Sequence, residues 1–375
     1  IKDINETTAS ISLEYEISAK DDSGQTEYYN VTEFYRMRYT ESRIRLLDFE
    51  RSATQVFDPN LSVISDSGLL LGVRDKNVET LTNEAETVTA FCQDGDLWSY
   101  APDTGKFVNI FTFRKSDNSD IRDSRVVHDI KLLSVEDDGD VNFMVLGYMN
   151  RGIHEGYCGV GIYHYSNDQN VVEEKVFIPS TRSYEFLKSD LGTLSYVSSN
   201  NQLFLLLSGK LYQINIEEGN YEILEEGIKE SEFAVSETNA HAAWRIQEGE
   251  HAGQIREIDF DSLATRDIAP DNGQQLRILG FMNEDIVYGT VQDGDSLTDE
   301  NGHTTEGITT LRIEGFDGTV KKEYHQDGLY LTNVTVGSSL IEFNLSEKTE
   351  NSYTAKKNDN IMNNSSEAVV QASVE

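Results

Sequence analysis

An acidic segment in the last third of the chain holds the residues best suited to bind a metal ion. Asp293, Asp295, Asp299 and Asn301 follow one another at short intervals in a glycine-containing stretch. Their carboxylate and amide oxygens are the hard ligands that calcium takes. The spacing departs from an EF-hand loop, because no glutamate closes it at the twelfth position. We predict no resident cofactor, with calcium at these four residues as the alternative.

A second set of candidate binding residues consists of arginines and histidines in segments that we predict to be loops. The planar guanidinium group of arginine pairs with carboxylate or phosphate through two parallel hydrogen bonds. A cluster of such groups on an acidic chain would recognise an anionic ligand, whereas scattered ones would only be solvated. The candidate ligand-binding residues are Arg114, Arg122, Arg125, Arg151, His154 and His303.

Motifs of established catalytic sites are missing. The pair His154–Glu155 lacks the second histidine of a zinc-binding H-E-x-x-H helix, and G-x-S-x-G does not occur. The glycines Gly156, Gly159 and Gly161 enter an expected strand rather than a helix, so they do not form a nucleotide loop. We assign no catalytic residue, and the sequence favours a non-enzymatic protein while leaving an enzyme open.

Composition limits the class of partner. The 375 residues include 31 basic and 66 acidic side chains, which give a formal charge of -35. This charge repels nucleic acid and anionic lipid headgroups and favours cationic partners. No apolar run is long enough to span a membrane. The acidic, serine- and asparagine-rich composition suggests an extracytoplasmic bacterial protein, whose leader or membrane anchor has been removed from this chain.

Two cysteines, Cys92 and Cys158, lie far apart in strand-like context. They can form one disulfide if their strands are neighbours, or stay as buried free thiols.

An internal repeat indicates the scaffold that carries these loops. Residues 97–110 (LWSYAPDTGKFVNI) align without gaps with residues 211–224 (LYQINIEEGNYEIL), and looser copies begin at Ile162 and Ile255. The pattern is a β-hairpin with a tight turn, in which glycine or asparagine accepts a left-handed conformation. The residues at the turn position of the four copies are Gly105, Gly219, Asn170 and Leu263.

Further strand-like runs precede each hairpin, so the unit has four strands and recurs about every 40 to 60 residues. We predict an all-β protein, a single β-propeller of four-stranded antiparallel blades that spans residues 1–375. Seven blades are expected at 11–59, 61–115, 126–180, 189–225, 230–270, 275–326 and 327–375. Six blades with an N-terminal extension is the alternative, because residues 30–49 could hide a short helix.

The hairpin pattern L-[WY]-x-[YI]-x-x-x-x-G-x-[FY]-x-x-[IL] resembles the outer hairpin of bacterial propellers. The Tol-type, quinoprotein-like and lactonase-like groups carry similar patterns, as do uncharacterised propeller lipoproteins of gut Firmicutes. The resemblance implies the fold alone. It assigns no functional residue, because no tryptophan-docking, WD or kelch motif is present.

The long connections carry the functional hypothesis. In a propeller, the loops between blades and those between the second and third strands of a blade share one face. The long segments 113–125, 149–157, 247–253 and 292–307 are all of these two kinds. We therefore expect a non-enzymatic extracytoplasmic module that binds a protein, peptide or glycan through that face and binds no nucleic acid.

Two other functions stay open at this point. One is an enzyme of the lactonase, glycosidase or quinoprotein type with a metal or carboxylate site at the channel mouth. The other is a structural or sensor ectodomain of a longer membrane protein.

Overall fold

The structure is a computed structural model that describes residues 1–65, 68–72, 78–115, 121–124, 126–247, 249, 253–298, 302, 304–350 and 352–363. The chain divides into two compact units, Ile1–Lys188 and Ser189–Ala372. Antiparallel strands make up most of the described residues, with one α-helix, α1 (Tyr184–Thr193). The prediction of an all-β protein built from repeated four-stranded sheets is confirmed.

The described part of the first unit contains three four-stranded antiparallel meanders and a short ribbon. The first sheet consists of β1 (Asp3–Ile4), β2 (Thr8–Lys20), β3 (Thr26–Thr40) and β4 (Arg43–Gln55). The ribbon consists of β5 (Ile64–Ser65) and β6 (Gly68–Leu69). The second sheet consists of β7 (Thr80–Thr82), β8 (Thr89–Gln93), β9 (Asp96–Ala101) and β10 (Lys106–Phe111). A 3-10 turn (Ile121–Ser124) precedes the third sheet, which consists of β11 (His128–Val135), β12 (Val141–Tyr148), β13 (Cys158–Ser166) and β14 (Val171–Ser180).

The second unit continues the same pattern. Its first sheet consists of β15 (Ser195–Val197), β16 (Gln202–Leu207), β17 (Lys210–Asn215) and β18 (Asn220–Glu226). A 3-10 turn (Glu230–Glu232) leads to the next sheet, which consists of β19 (Phe233–Val235), β20 (His241–Arg245), β21 (Ile255–Asp259) and β22 (Thr265–Ile268). The last sheet consists of β23 (Gln274–Met282), β24 (Asp285–Thr298), β25 (Thr304–Glu314), β26 (Val320–His325), β27 (Tyr330–Val336), β28 (Leu340–Lys348) and β29 (Tyr353–Met362).

The first sheet corrects the idea of a hidden helix at residues 30–49. Its strands β3 and β4 run unbroken through most of this segment. Tyr35, Met37 and Tyr39 alternate with Arg36 and Arg38, which is the two-residue period of a strand.

The last sheet differs from the expectation of two separate units at 275–326 and 327–375. Ile308 of β25 pairs with Leu331 of β27, so the four strands β23–β26 and the three strands β27–β29 form one seven-stranded sheet. The expected loop at 292–307 is also largely strand, since Ser296 pairs with Glu306 and Thr298 with Thr304. Threonine favours such extended pairing. The described sheets thus amount to six or seven blade-like sheets.

Burial on both faces explains the apolar runs of the inner strands. In β20, Ala242 and Trp244 pack into one cluster with Phe204, while Ala243 faces the opposite way and packs with Ile286. Successive side chains of a strand point to opposite faces, so a sheet covered on both sides needs apolar residues at consecutive positions. The stacked sheets of each unit therefore bury continuous apolar segments.

The hairpin turns adopt the backbone conformation that the repeat predicts. Gly105, Gly219 and Asn170 have φ angles of +63°, +67° and +52°. Leu263 takes the same position with φ of +58°, a conformation that costs a side chain with a β-carbon about 1–2 kcal/mol. The glycine position of the repeat is thus a requirement for positive φ, and Leu263 meets it under strain.

The two cysteines are not bonded to each other. The Cys92 thiol lies 3.8 Å from the carbonyl oxygen of Ile130, and burial raises the pKa of this thiol. Among the described residues, no helix is long and apolar enough to cross a membrane.

We expect Leu263→Gly to raise the free energy of unfolding by about 1 kcal/mol, because it removes backbone strain at a half-exposed side chain that buries little. Urea unfolding followed by circular dichroism measures the change. Gly105→Ala is the matched control, since an added β-carbon there meets no atom within 4 Å, and it should lower stability by about 1 kcal/mol. If the Leu263→Gly variant is less stable than the wild type, the backbone at Leu263 is not strained as we infer.

Candidate functional site

Two loops of the first unit meet at the ends of the second and third sheets. Arg151, in the loop between β12 and β13, donates from Nε to the carbonyl oxygen of Phe113 at 2.5 Å and from Nη2 to Asp123 Oδ1 at 2.5 Å. The neighbouring Asn150 donates its amide hydrogen to the carbonyl oxygen of Arg122 at 2.7 Å. The connection from β10 to β11 is thereby tied to the loop from β12 to β13.

The loop at residues 149–157 is closed at its base. The backbone N–H of Met149 donates to the carbonyl oxygen of Tyr157 at 2.8 Å, and Gly156 N–H donates to the carbonyl oxygen of Met149 at 3.0 Å. Strands β12 and β13, which pair over their full length, hold this base. The loop presents two exposed apolar side chains, Ile153 at 85% and Tyr157 at 62% exposure.

A cleft of about 250 Å³ lies beside this loop. Its walls are mainly apolar, with polar groups at a few points, which is the usual composition of a site for a small ligand or a side chain. The residues that line it are Phe111, Thr112, Phe113, Met149, Arg151, Gly152, Ile153, His154, Tyr163 and Glu174.

His154 is held in a fixed position at the cleft. Its ring stacks on Phe177 with centroids 3.7 Å apart, and its Nε2 lies 2.8 Å from Glu174 Oε1. Tyr163 donates its hydroxyl hydrogen to the other oxygen of Glu174 at 2.9 Å, and burial raises the pKa of this phenol. Both oxygens of the Glu174 carboxylate therefore have a partner. His154, Tyr163 and Glu174 together form one wall of the cleft.

Arg114 lies deeper in the same region. Its Nη2 donates to Asp94 Oδ2 at 2.7 Å, and its Nε lies 3.4 Å from Asp96 Oδ2. Thr112 donates its hydroxyl hydrogen to Asp96 Oδ1 at 2.6 Å. Burial raises the pKa of Asp96 to about 6, although the nearby guanidinium opposes the shift.

The three described arginines of the sequence-predicted set all pair with acidic side chains of the first unit. Arg122 forms an ion pair with Glu155, as Arg151 does with Asp123 and Arg114 with Asp94. These contacts hold the loops together, and recognition of an anionic ligand by the arginines stays a prediction. Arg125 and His303 lie outside the described residues.

The metal candidate separates into two parts. Asp295 is buried in β24, and Lys348 donates to its carboxylate at 2.7 Å, so a cation of the protein already neutralises it. Asp293 is exposed on the same strand, while Asp299 and Asn301 lie outside the described residues. Within the described part of the chain, no group of three histidine, cysteine or acidic residues has an arrangement that could hold a metal ion. Calcium at the four residues stays a prediction.

Sequence reasoning missed the residues that position the loops. Asp123, Glu174 and the carbonyl group of Phe113 carry the contacts, yet none belongs to a motif. The one available signal was the hairpin alignment around Tyr163, because cross-strand pairing places Glu174 directly opposite this tyrosine.

Comparison with known proteins gives the fold and no family. No family model matches the chain, and no curated protein matches its sequence. Similar solved structures include the tricorn protease, at 10% identity over 90% of this chain and 36% of that chain with a TM-score of 0.33. An oligogalacturonate lyase in complex with manganese gives 9% identity, 94% and 98% coverage and a TM-score of 0.31. TolB from Acinetobacter baumannii gives 11% identity, 90% and 77% coverage and a TM-score of 0.26.

The chain thus spans about a third of the tricorn protease chain. These similarities are to β-propeller proteins and concern the fold alone, as the hairpin pattern predicted. They say nothing about what this chain binds.

We expect Asp96 to make stability fall as the pH rises from about 4 to about 6. The folded state holds the Asp96 proton up to a pKa of about 6, whereas an unfolded aspartate loses it near pH 4, so ionisation favours unfolding by up to about 3 kcal/mol. Asp96→Asn should remove this decline, as measured by urea unfolding at a series of pH values. The exposed Asp103→Asn is the control and should keep it. If Asp96→Asn changes the free energy of unfolding by the same amount at every pH, the decline does not come from the raised pKa of Asp96.

Arg151→Ala should lower the free energy of unfolding by about 3 kcal/mol, because it removes the guanidinium hydrogen bonds to the buried Asp123 carboxylate and to the carbonyl oxygen of Phe113. Hydrogen exchange followed by mass spectrometry should show faster exchange in residues 149–157. Lys106→Ala, which removes an exposed charge at the start of β10, should change neither quantity. Unchanged exchange in the loop would show that Arg151 does not position it.

Proposed function

We propose that the chain is a non-enzymatic binding module that takes an extended protein segment or peptide in the cleft beside the loop at 149–157. One observation carries the proposal: a loop fixed at its base exposes Ile153 and Tyr157 next to a cleft with aromatic walls. Loops held on a rigid scaffold are where binding residues concentrate.

The shape of the cleft suits an apolar anchor residue of the partner. Phe111, Phe113 and Tyr163 supply flat apolar walls of the kind that hold the central side chain of a protein contact. The loop is held by its own hydrogen bonds and by Arg151, so little ordering entropy would be lost on binding. Burial of Ile153 and Tyr157 would supply the favourable apolar term.

The charge of the chain suggests the rest of the ligand. Arg151, the arginine that lines the cleft, is paired with a carboxylate, whereas the chain as a whole carries a charge of -35. A partner with lysine or arginine residues on either side of its apolar anchor would therefore be attracted, and acidic partners repelled.

We also propose that the module works outside the cytoplasm, as a secreted or lipid-anchored bacterial protein. The acidic composition with only two cysteines supports this location. Digestion of intact producing cells with an added protease tests it: the protein should be degraded while a cytoplasmic marker survives. Protection of the protein until the cells are lysed would overturn the proposal.

Selection from a displayed library of random peptides should yield ligands with an aromatic or aliphatic residue flanked by basic ones. Ile153→Asp should weaken the selected peptides at least about tenfold, because it places a carboxylate at the apolar contact. Isothermal titration calorimetry measures the affinity. Ile223→Asp, the same change at an exposed position of β18, is the control and should bind as the wild type does.

Two results would contradict the proposed function. Peptides whose affinity is unaffected by Ile153→Asp would place binding elsewhere on the chain. A selection that returns only acidic peptides would contradict the role of the negative charge.

A further inference from the structure

The first sheet has an open edge, and this edge belongs to a long strand. Strand β4 runs from Arg43 to Gln55, and β3 is the one strand that pairs with it among the described residues. Positions 43–52 are all exposed. An edge of this kind presents unpaired backbone groups, and proteins protect it with proline, short length, charged side chains, a bulge or a covering element. Strand β4 carries charges and a bulge, but it is long, it contains no proline, and no described element covers it.

One face of β4 is apolar from Ile44 to Phe49. Ile44, Leu46 and Phe49 are 67%, 58% and 42% exposed. Their cross-strand partners in β3 are Tyr39, Met37 and Tyr35, in that order. Residues that pair across two antiparallel strands share a face, so these six side chains form one open apolar surface.

A β-bulge at Leu47 sets which charges lie on the other face. Arg36 pairs with Asp48 and Met37 with Leu46, so Leu47 is an extra residue in β4. The extra residue interrupts the alternation of side chains between the two faces of β4. As a result, even-numbered residues after Leu47 lie on the same face as odd-numbered residues before it. The polar face of β4 therefore carries Arg43, Arg45, Asp48 and Glu50.

These four charges are complementary to themselves under a two-fold axis. When β4 pairs antiparallel with β4 of a second copy around Leu46 and Leu47, Arg43 faces the partner's Glu50 and Arg45 faces the partner's Asp48. The same register places Ile44 opposite the partner's Phe49 on the apolar face. Symmetry repeats every pair, which gives four ion pairs and two apolar pairs. Without the bulge, residues facing each other in this register would lie on opposite faces.

Charge also explains why this hairpin and not another surface would associate. The whole chain carries -35, so two copies repel each other over most of their surface. Four arginines, Arg36, Arg38, Arg43 and Arg45, concentrate on one face at the end of the β3–β4 hairpin. At about 0.15 M salt the screening length is about 8 Å, which weakens the distant repulsion more than the contacts.

We propose that the chain forms a symmetric dimer by antiparallel pairing of β4 with β4 of a second copy. The pairing extends the four-stranded first sheet into a continuous eight-stranded sheet and covers its apolar face at the seam. The dimer interface is separate from the cleft beside the loop at 149–157, so the dimer can be tested independently of the proposed ligand.

A charge-swap experiment tests the register directly. One variant carries Arg43→Glu and Arg45→Glu, and the other carries Asp48→Arg and Glu50→Arg. Alone, each places like charges opposite each other across the axis, and its dimerisation should weaken at least about tenfold relative to the wild type. Mixed, the two variants present only opposite charges to each other and should form a heterodimer. Sedimentation velocity at about 0.15 M salt, over a series of protein concentrations, measures all three samples.

A control variant carries the same type of change on the same sheet but off its edge. Glu14→Arg with Asp22→Arg alters two exposed carboxylates of β2 and its turn, and it should dimerise as the wild type does. Recovery of the heterodimer on mixing also shows that both variants are folded.

Three results would overturn the proposal. A wild-type chain that stays monomeric at every concentration has no such interface. The same conclusion holds if that monomer sediments with anionic phospholipid vesicles, because the hairpin arginines would then bind a membrane instead. If both charge-reversal variants dimerise as the wild type does, the dimer uses another surface. A mixture that stays monomeric while the wild type dimerises excludes this register.

Discussion

The structure depends on one constraint, which is that a sheet in the middle of a stack must be apolar on both faces. The consecutive residues Ala242, Ala243 and Trp244 show it most directly, since neighbouring side chains pack into different clusters. The charge of the chain is therefore displaced to turns, edges and outer strands such as β18, whose residues are mostly exposed. Loops can vary in length without disturbing the stack, and this freedom is why we propose the loop at 149–157 as the binding element.

The first sheet is the place where this constraint is relaxed. Its strands β2–β4 are longer than the other strands of the first unit, and β4 is exposed along most of its length. Ile44 and Leu46 are as apolar as the inner strands of the other sheets, yet nothing among the described residues covers them. A surface with the composition of a core and the exposure of an edge is typical of association with another chain.

The hairpin repeat could be predicted because its signal is local: Gly105, Gly219 and Asn170 mark a turn that needs positive φ. Residues 30–49 are harder to assign from sequence, because a turn at Glu41 and the bulge at Leu47 interrupt the two-residue period within this segment. The contacts of the candidate site are not local. Arg151 meets Asp123 and Phe113 across 28 and 38 residues, and with 66 acidic side chains no spacing shows which carboxylate an arginine will find.

The scarcity of basic residues decides what the arginines do. With 31 basic and 66 acidic side chains, a buried carboxylate competes for few cations. Arg266 is shared between Glu257 and Glu314, at 2.7 and 2.6 Å, and burial still raises the pKa of Glu257 to about 7. Arg151 likewise pairs with the buried Asp123 and Arg114 with the half-buried Asp94, so the removal of either arginine would take a cation away from a carboxylate that water reaches poorly. Because these guanidinium groups bind carboxylates of the protein itself, the binding that we propose at the cleft would depend on its apolar side chains. In contrast, Arg36, Arg38, Arg43 and Arg45 of the β3–β4 hairpin are exposed.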